Sequence, residues 1–183
     1  MKMFLVVFVV IMTWSAQLAM AGDQLSVYPS LMNNGFEDVE QGSPKYWTYS
    51  GPNDSILLNS KVSNEGKQSV QLSLNGPVKD GIWLLQAVEV EAFKRYDAGG
   101  AIKTDGLENG YAQISVTFLD QNGVKISSVD VFKLSGTNEW TYDHKWIESP
   151  SGADVAHIKC FITGKGRAWF DSIRFTAKIS GGY

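Results

Sequence analysis

Apolar and polar residues alternate along much of this chain with the two-residue period of β-strands. The clearest example is the segment 111–118, in which every even-numbered position is apolar and every odd-numbered position is polar or aromatic. Successive side chains of a strand point to opposite faces of its sheet. The pattern therefore predicts a core-facing set, Ala112, Ile114, Val116 and Phe118, and a solvent-facing set, Tyr111, Gln113, Ser115 and Thr117.

Short segments with strand patterns recur along the chain, separated by clusters of Gly, Asn, Asp and Pro. The predicted strands are Ile56–Val62, Ser69–Leu74, Trp83–Glu91, Tyr96–Thr104, Tyr111–Asp120, Lys125–Leu134, Trp140–Glu148, Val155–Thr163 and Ala168–Ala177. The turn-forming clusters include Gly106–Gly110 and Asp120–Gly123. Regular short strands with such turns are typical of sandwiches and jelly rolls. We therefore predict an all-β fold, a two-sheet antiparallel β-sandwich.

Some aromatic residues fall in the outward phase of their strands. Trp83 shares its phase with Glu89 and Glu91, and Phe161 shares its phase with Lys159. An aromatic ring in register with charged residues is predicted to be partly exposed, which indicates a role besides core packing. Three other tryptophans are predicted to be buried: Trp47, Trp140 and Trp169.

The first 21 residues have the three parts of a secretory signal peptide. Lys2 provides the positive charge, Met3–Met12 is an uninterrupted apolar run, and Ala19-Met20-Ala21 is a small-x-small cleavage site before Gly22. A transmembrane anchor needs about 20 apolar residues, and polar residues interrupt this run from Thr13 onward. We therefore expect a secreted, extracellular protein with no membrane insertion after cleavage.

The remaining residues, 22–183, are predicted to form a single domain with its core at about residues 31–177. The formal net charge of −3 gives no electrostatic attraction to nucleic acid or to anionic membranes, so neither is expected as a partner. Cys160 is the only cysteine, which excludes an intrachain disulfide. Its strand pattern predicts a buried apolar residue rather than a nucleophile.

Seven sequence motifs, in a fixed order, carry a family resemblance. They are Asn33-Asn34-Gly35-Phe36-Glu37, Pro44 with Trp47, Asn64–Leu72, Tyr96–Gly106, Phe118–Gly123, Leu134–Thr141 and Ala168–Ile173. They cover roughly residues 31–175 and resemble the jelly-roll carbohydrate-binding modules of the galactose-binding-domain-like group, as found attached to secreted bacterial polysaccharide hydrolases. The resemblance implies a jelly-roll sandwich, and it favours a glycan ligand without settling it, because one fold serves many functions.

The resemblance also implies a structural Ca²⁺ that ties the first strand to the last. Carried over residue by residue, its side-chain ligands are Glu37 and Asp171, with Glu65 as a further candidate, and the backbone carbonyls of Gly35 and Lys67 complete the set. Ca²⁺ takes six to eight oxygen ligands, some of them carbonyls in tight turns. The family often has a second Asp where this chain has Ser172. The alternative is that Glu37 and Asp171 are strand-end residues bonded to backbone.

Glycan binding requires exposed rings for the apolar C–H faces of sugars and polar groups for their hydroxyls. Trp83, Tyr111 and Gln113 meet both needs and share the outward phase, although Trp83 is equally compatible with the core. A second candidate pair is Tyr142 and Trp146. Hydrophobic alternation buries both, whereas alignment with the family turns them outward together with His144. A β-bulge would reconcile the two interpretations.

These observations favour a secreted, non-catalytic, lectin-like protein that binds a polysaccharide or other glycan. The first alternative is a structural or adhesive subunit of an extracellular assembly, in which the exposed aromatic residues contact protein. The second is a polysaccharide-degrading enzyme on a jelly roll, which needs two carboxylates across a cleft. No hydrolase or phosphate-binding motif is present, so no catalytic residue is predicted.

Overall fold

The computed structural model describes residues 25–52 and 54–178 as a series of β-strands. In chain order they are β1 Val27–Tyr28, β2 Val39–Glu40, β3 Ser43–Pro44, β4 Thr48–Ser50, β5 Ile56–Asn59, β6 Ser69–Leu74, β7 Ile82–Glu89, β8 Arg95–Leu119, β9 Lys125–Glu148, β10 Val155–Ile162 and β11 Lys165–Ala177. These described residues include no helix that could cross a membrane. The signal peptide predicted at residues 1–21 lies outside them.

Nine strands form two layers that share their two longest members, while β2 and β3 pair only with each other. The order of the main sheet is β1-β7-β10-β8-β11-β6-β5, with β4 also on β7 and β9 on β8. The second half of β8 pairs with β10, the first half pairs with β11, and β9 follows β8 through both halves. Apart from the two-residue pairing of β1 with β7, the main-sheet pairings are antiparallel. The predicted two-sheet antiparallel β-sandwich is confirmed.

We name the layers the front sheet and the back sheet. The front sheet comprises β1, β4, β7, β10, residues 111–119 of β8 and residues 125–134 of β9. The back sheet comprises β5, β6, β11, residues 95–105 of β8 and residues 138–148 of β9.

The predicted boundaries were wrong where the chain passes from one layer to the other. Gly106–Gly110 was predicted to be a turn, and Lys125–Leu134 and Trp140–Glu148 were predicted to be separate strands. The structure instead has β8 and β9 as continuous strands of 25 and 24 residues. The pairing register shifts repeatedly here, and Gly106 and Gly136 have positive φ angles of 57° and 74°. Bulges and left-handed residues bend a strand without ending its pairing.

Inward-facing residues of both sheets form one hydrophobic cluster. The alternation in 111–118 is confirmed, because Ala112, Ile114, Val116 and Phe118 are all buried. Cys160 is also buried in this cluster, as predicted, and burial raises the pKa of its thiol.

The tryptophans predicted to be buried divide into two groups. Trp47 and Trp169 are buried, and the ring of Trp47 packs on Phe36 with centroids 5.1 Å apart. Trp140 is only half-buried, because it lies where β9 has an extra residue relative to β8, between the pairs Thr141–Ile102 and Asn138–Thr104. A bulge of this kind breaks the two-residue period on which the prediction for Trp140 rested.

Candidate functional site

The outer face of the front sheet brings three predicted ligand residues together. Phe161 of β10 is paired directly with Trp83 of β7 on one side and with Gln113 of β8 on the other. Residues paired across neighbouring strands project to the same side of a sheet. The ring of Tyr111 meets that of Phe161 edge to face, with centroids 5.7 Å apart. We call the half-buried rings of Trp83, Tyr111 and Phe161 the aromatic platform.

Gln113 lies beside the platform, but it is less accessible than its phase predicted. Its side chain is on the outer face, yet the residue is only 3% exposed, and the neighbouring Ser115 is also buried. Its amide nitrogen donates a hydrogen bond to Asp130 of β9, which orients the amide. The prediction that Gln113 is open to solvent was therefore wrong. Alternation predicts on which side of the sheet a side chain lies, but not whether side chains of a neighbouring strand bury it.

Two lysines, absent from the sequence-based set, lie on the platform. The Nζ atom of Lys159 is 5.3 Å from the ring centroid of Trp83 and 5.0 Å from that of Phe161. The Nζ atom of Lys133 is 4.0 Å from the ring centroid of Tyr111. Cations over aromatic faces are attracted by the ring quadrupole. The outward phase of Lys159 was visible in the sequence, whereas the position of Lys133 depends on how β9 pairs with β8.

Burial affects the titration of this face. It lowers the pKa of Lys159, although the negative charge of Asp80 opposes the shift. His157 lies two residues before Lys159 on the same side of β10, and its pKa is lowered first by burial and then by the charge of Lys159. The face therefore holds one partly desolvated ammonium group and a histidine that favours its neutral form.

Tyr142 and Trp146 lie on the outer face of the back sheet, on the opposite side of the core from the platform. They are 46% and 44% exposed, and they pair with Ala101 and Asp97 of β8. Burial of these two residues, predicted from hydrophobic alternation, was wrong, and the outward orientation implied by the family resemblance was right. The bulge next to Trp140 sets this phase. The structure therefore does not unite Tyr142 and Trp146 with Trp83, Tyr111 and Gln113.

The residues predicted to bind calcium converge at one set of loops beside β11. Asp171 is buried, and its Oδ2 atom accepts hydrogen bonds from the backbone N–H groups of Asn64 and Glu65, at 2.8 and 3.0 Å. The Oε1 atom of Glu37 accepts one from the N–H of Lys67 at 2.7 Å. Gly35 is adjacent, since a Cβ atom there would lie 3.7 Å from Asp171 Oδ1.

The fit of this cluster to Ca²⁺ depends on its oxygens. The pKa of Asp171 is raised above its ordinary value, chiefly by burial and also by the negative charge of Glu37, while hydrogen bonds from backbone N–H groups oppose the shift. A cation between the two carboxylates would remove that repulsion. Among residues 25–52 and 54–178, however, no group of three or more His, Cys, Asp or Glu side chains is placed to hold a metal. Both carboxylates accept backbone N–H bonds, as the alternative to a metal site predicted, and Glu65 contributes one of those N–H groups. The set therefore fits Ca²⁺ only if backbone carbonyls supply most of the ligands.

A separate cleft of about 1190 Å³ opens at the rim of the sandwich. Its lining includes Tyr96, Phe175 and Tyr142, but none of the platform residues. Tyr96 stacks on Phe175 with centroids 4.7 Å apart, and its hydroxyl accepts a hydrogen bond from the N–H of Glu91. Tyr96 and Phe175 are buried, so Tyr142 is the exposed aromatic ring of this lining, whereas the platform has three half-buried rings.

Comparison with known proteins was informative only at the level of structure. No protein-family model and no curated protein sequence match this chain. A family 61 carbohydrate-binding module, TmCBM61, solved in complex with β-1,4-galactotriose, superposes with a TM-score of 0.59 at 19% identity, over 81% of this chain and 97% of that one. The C-terminal family 22 module of Clostridium thermocellum Xyn10B gives a TM-score of 0.60 at 14% identity, over 82% and 94%.

A larger protein contains the same fold as one part. The enzymatically active domain of tailspike protein 4 from bacteriophage CBA120 superposes with a TM-score of 0.66 at 19% identity, over 82% of this chain. This chain spans only 21% of that tailspike chain. Identities below 20% establish the fold and not the ligand. The predicted resemblance is confirmed at that level: this chain has the jelly-roll β-sandwich fold of carbohydrate-binding modules.

Proposed function

We propose that this protein is a secreted, non-catalytic, glycan-binding protein that holds its ligand on the outer face of the front sheet. The observation that carries the proposal is the aromatic platform, in which Trp83, Phe161 and Tyr111 adjoin one another across three strands. Sugar C–H faces pack on such rings, and polar groups beside the rings bind hydroxyls. The polar groups that reach the surface beside these rings are the ammonium groups of Lys159 and Lys133. Gln113 is also adjacent, but it is buried and its amide is bonded to Asp130.

Proteins of the same fold support this choice of ligand class. The solved family 61 module is a complex with β-1,4-galactotriose, and the family 22 module CBM22-1 of Paenibacillus barcinonensis Xyn10C is described as a xylan-binding domain. Those ligands belong to those proteins, and extending glycan binding to this chain is our proposal.

The test is a glycan array with residues 22–183, comparing the unmodified protein with Trp83→Ala and Tyr111→Ala. Removing one stacking ring is expected to weaken binding on the order of tenfold. The matched control is Trp146→Ala, which removes an equally large ring from the back sheet and should leave affinity unchanged. Equal losses in Trp83→Ala and Trp146→Ala, or no binding to any glycan, would contradict the proposal.

Export and cleavage form part of the proposal and rest on residues 1–21. Mass spectrometry of the protein recovered from the medium of its producing cells should give a mature N-terminus at Gly22. Retention inside the cell with Met1 or Lys2 at the N-terminus would contradict it.

We also propose that a structural Ca²⁺ binds between Glu37 and Asp171, completed by carbonyl oxygens at Gly35 and Lys67. The support is the convergence of these segments and the proximity of two carboxylates, one of them buried. The ion would join the loop after residue 33 to β11 and would take no part in chemistry.

One observation favours an assembly subunit as the second candidate function. Tyr142 and Trp146 are large and exposed, and they pair with Ala101 and Asp97 of the neighbouring strand. Exposed aromatic residues of this kind are typical of protein contacts.

A further inference from the structure

Two positive charges lie on the aromatic platform. Lys159 is half-buried in the row below Trp83 and Phe161, within 5.3 Å of both ring centroids. Lys133 extends over Tyr111 from the neighbouring strand. Long lysine stems pack on apolar surface while the ammonium group stays at the surface. A ligand that packs on the three rings therefore lies close to both ammonium groups.

Neither charge has a carboxylate partner in the part of the chain that the structure describes. The ion pairs there engage Lys94, Lys103, His144, Arg167 and Arg174. The negative charge of Asp80 acts on Lys159, but Asp80 is not within ion-pair distance of it. Asp130 lies on the strand next to β8, where it pairs with Ser115. Its carboxylate already accepts the amide of Gln113, and it is not within ion-pair distance of either lysine.

The partial burial of Lys159 strengthens its attraction for an anion. Burial lowers the pKa of Lys159, which means that its charged form has lost hydration. An anion brought next to such a group gains more than it would in bulk water, because the effective dielectric constant is lower. The protein as a whole carries a net charge of −3, so the positive charge of this patch is opposite in sign to the net charge of the protein.

We propose that the glycan bound by this face is acidic, a polysaccharide whose sugar rings stack on Trp83, Phe161 and Tyr111 while their anionic groups pair with Lys159 and Lys133. This inference rests on the proposed function. A neutral sugar would pack on the rings but would leave both ammonium groups without an ion-pair partner. Carboxylate and sulfate groups share the required chemistry.

The experiment measures affinity for two matched pairs of polymers by isothermal titration calorimetry. The first pair is polygalacturonate and its carboxyl-reduced form, and the second is dextran sulfate and dextran. We expect tighter binding to an acidic member than to its neutral counterpart, and weaker binding as NaCl increases. Binding to polygalacturonate alone identifies carboxylate as the recognised group, and binding to dextran sulfate alone identifies sulfate.

Variants assign the effect to the platform. Lys159→Met and Lys133→Met keep an apolar stem and remove the charge, and each should weaken binding to the acidic polymer on the order of tenfold while leaving the neutral one unchanged. Lys159→Arg should retain most of the affinity. Lys165→Met, at an exposed lysine of the back sheet, is the control. Unchanged melting temperatures show that the variants are folded. If Lys159→Met unfolds, Lys133→Met still tests the proposal, because Lys133 is exposed.

The outcomes separate this inference from the proposed function. Equal affinity for the acidic and neutral members, unaffected by Lys159→Met and Lys133→Met but reduced by Trp83→Ala, overturns the acidic ligand and leaves glycan binding intact. A loss in Lys165→Met as large as that in Lys159→Met also overturns it, because the attraction is then non-specific. No binding to any polymer or array glycan overturns both.

Discussion

Gly164 shows how a single residue holds one side of the aromatic platform in place. It follows β10, with a φ angle of +83°, and its backbone is close to the chain just before Tyr111. A Cβ atom at Gly164 would lie 2.4 Å from the carbonyl oxygen of Glu108 and 2.7 Å from the nitrogen of Gly110. Next to it, the N–H of Thr163 donates to the carbonyl of Tyr111 at 3.0 Å. Close packing of backbone on backbone therefore positions Tyr111.

Gly164→Ala is expected to destabilise the protein by about 3 kcal/mol or more, because the new methyl group meets backbone atoms and the residue has a left-handed conformation. Gly123→Ala is the matched control. Gly123 has a similar φ angle of +75°, but nothing lies within 4 Å of a Cβ atom there, so Gly123→Ala should lose only about 1–2 kcal/mol. Urea unfolding curves of the two variants measure the difference, and equal losses would show that close packing at Gly164 contributes nothing.

The cation–π contacts of the platform also belong to the residue scale. Lys159 and Phe161 were correctly assigned to the outer face from the alternation in β10. Lys133 could not be assigned in this way, because it reaches Tyr111 only through the pairing of β9 with β8. Contacts within one strand follow from local sequence, whereas contacts between strands depend on register.

Among the elements, the loops around Glu37 and residues 64–68 are the ones that the proposed Ca²⁺ would join to β11. Gln68 strengthens this junction, since its side-chain amide donates to the carbonyl of Phe36 at 2.8 Å. A ligand that binds only the folded state stabilises it by mass action. Removal of the metal should therefore destabilise the protein at this junction.

We expect the melting temperature to rise with CaCl₂ and to fall with EDTA, by an amount equivalent to about 2.7 kcal/mol when Ca²⁺ is at 100 times its dissociation constant. Asp171→Asn and Glu37→Gln should each reduce the shift. Because Asp171 is buried, the exposed Glu37 gives the safer variant. Glu139→Gln, at an exposed residue of β9, is the control and should keep the full shift. Identical melting curves of the unmodified protein in CaCl₂ and EDTA would exclude the metal.

Strand boundaries could be predicted from the sequence only where a strand ends in a turn. The strand β6 was predicted with its exact bounds, Ser69–Leu74, because both of its ends coincide with turns. The strands β8 and β9 were each predicted as two, because Gly-rich segments that bend a strand have the same composition as those that reverse it. Only pairing with a continuous neighbour distinguishes the two cases.

At the scale of the whole molecule, the sandwich has two unlike outer faces. The front sheet presents a half-buried platform with two lysines, and the back sheet presents the exposed rings of Tyr142 and Trp146. Tyr142 lies near His144, with ring centroids 6.2 Å apart, and the Nδ1 atom of His144 is 2.6 Å from Asp97. One face is thus the proposed glycan site, and the other is the candidate protein contact.

If glycan binding is the main function, the protein purified without ligand should have the mass of a single chain in light scattering at micromolar concentration. The double variant Tyr142→Ser with Trp146→Ser should leave that mass unchanged, since neither residue is then needed for association. Large particles that the double variant dissociates would instead support the assembly subunit. Trp83→Ala is the control from the other face.

The sequence by itself determined the all-β fold, the inward set of β8, the buried Cys160 and the outward phase of Phe161, and it left Trp83 open between the outer face and the core. Each of these depends only on the alternation of side chains along one strand. Tertiary structure decided that Trp83, Tyr111 and Gln113 adjoin, that Lys133 joins them, and that Tyr142 and Trp146 lie on the opposite side. Those outcomes depend on strand register, on one bulge in β9 and on strands shared between two sheets, and such long-range pairings leave no periodic signal in the chain.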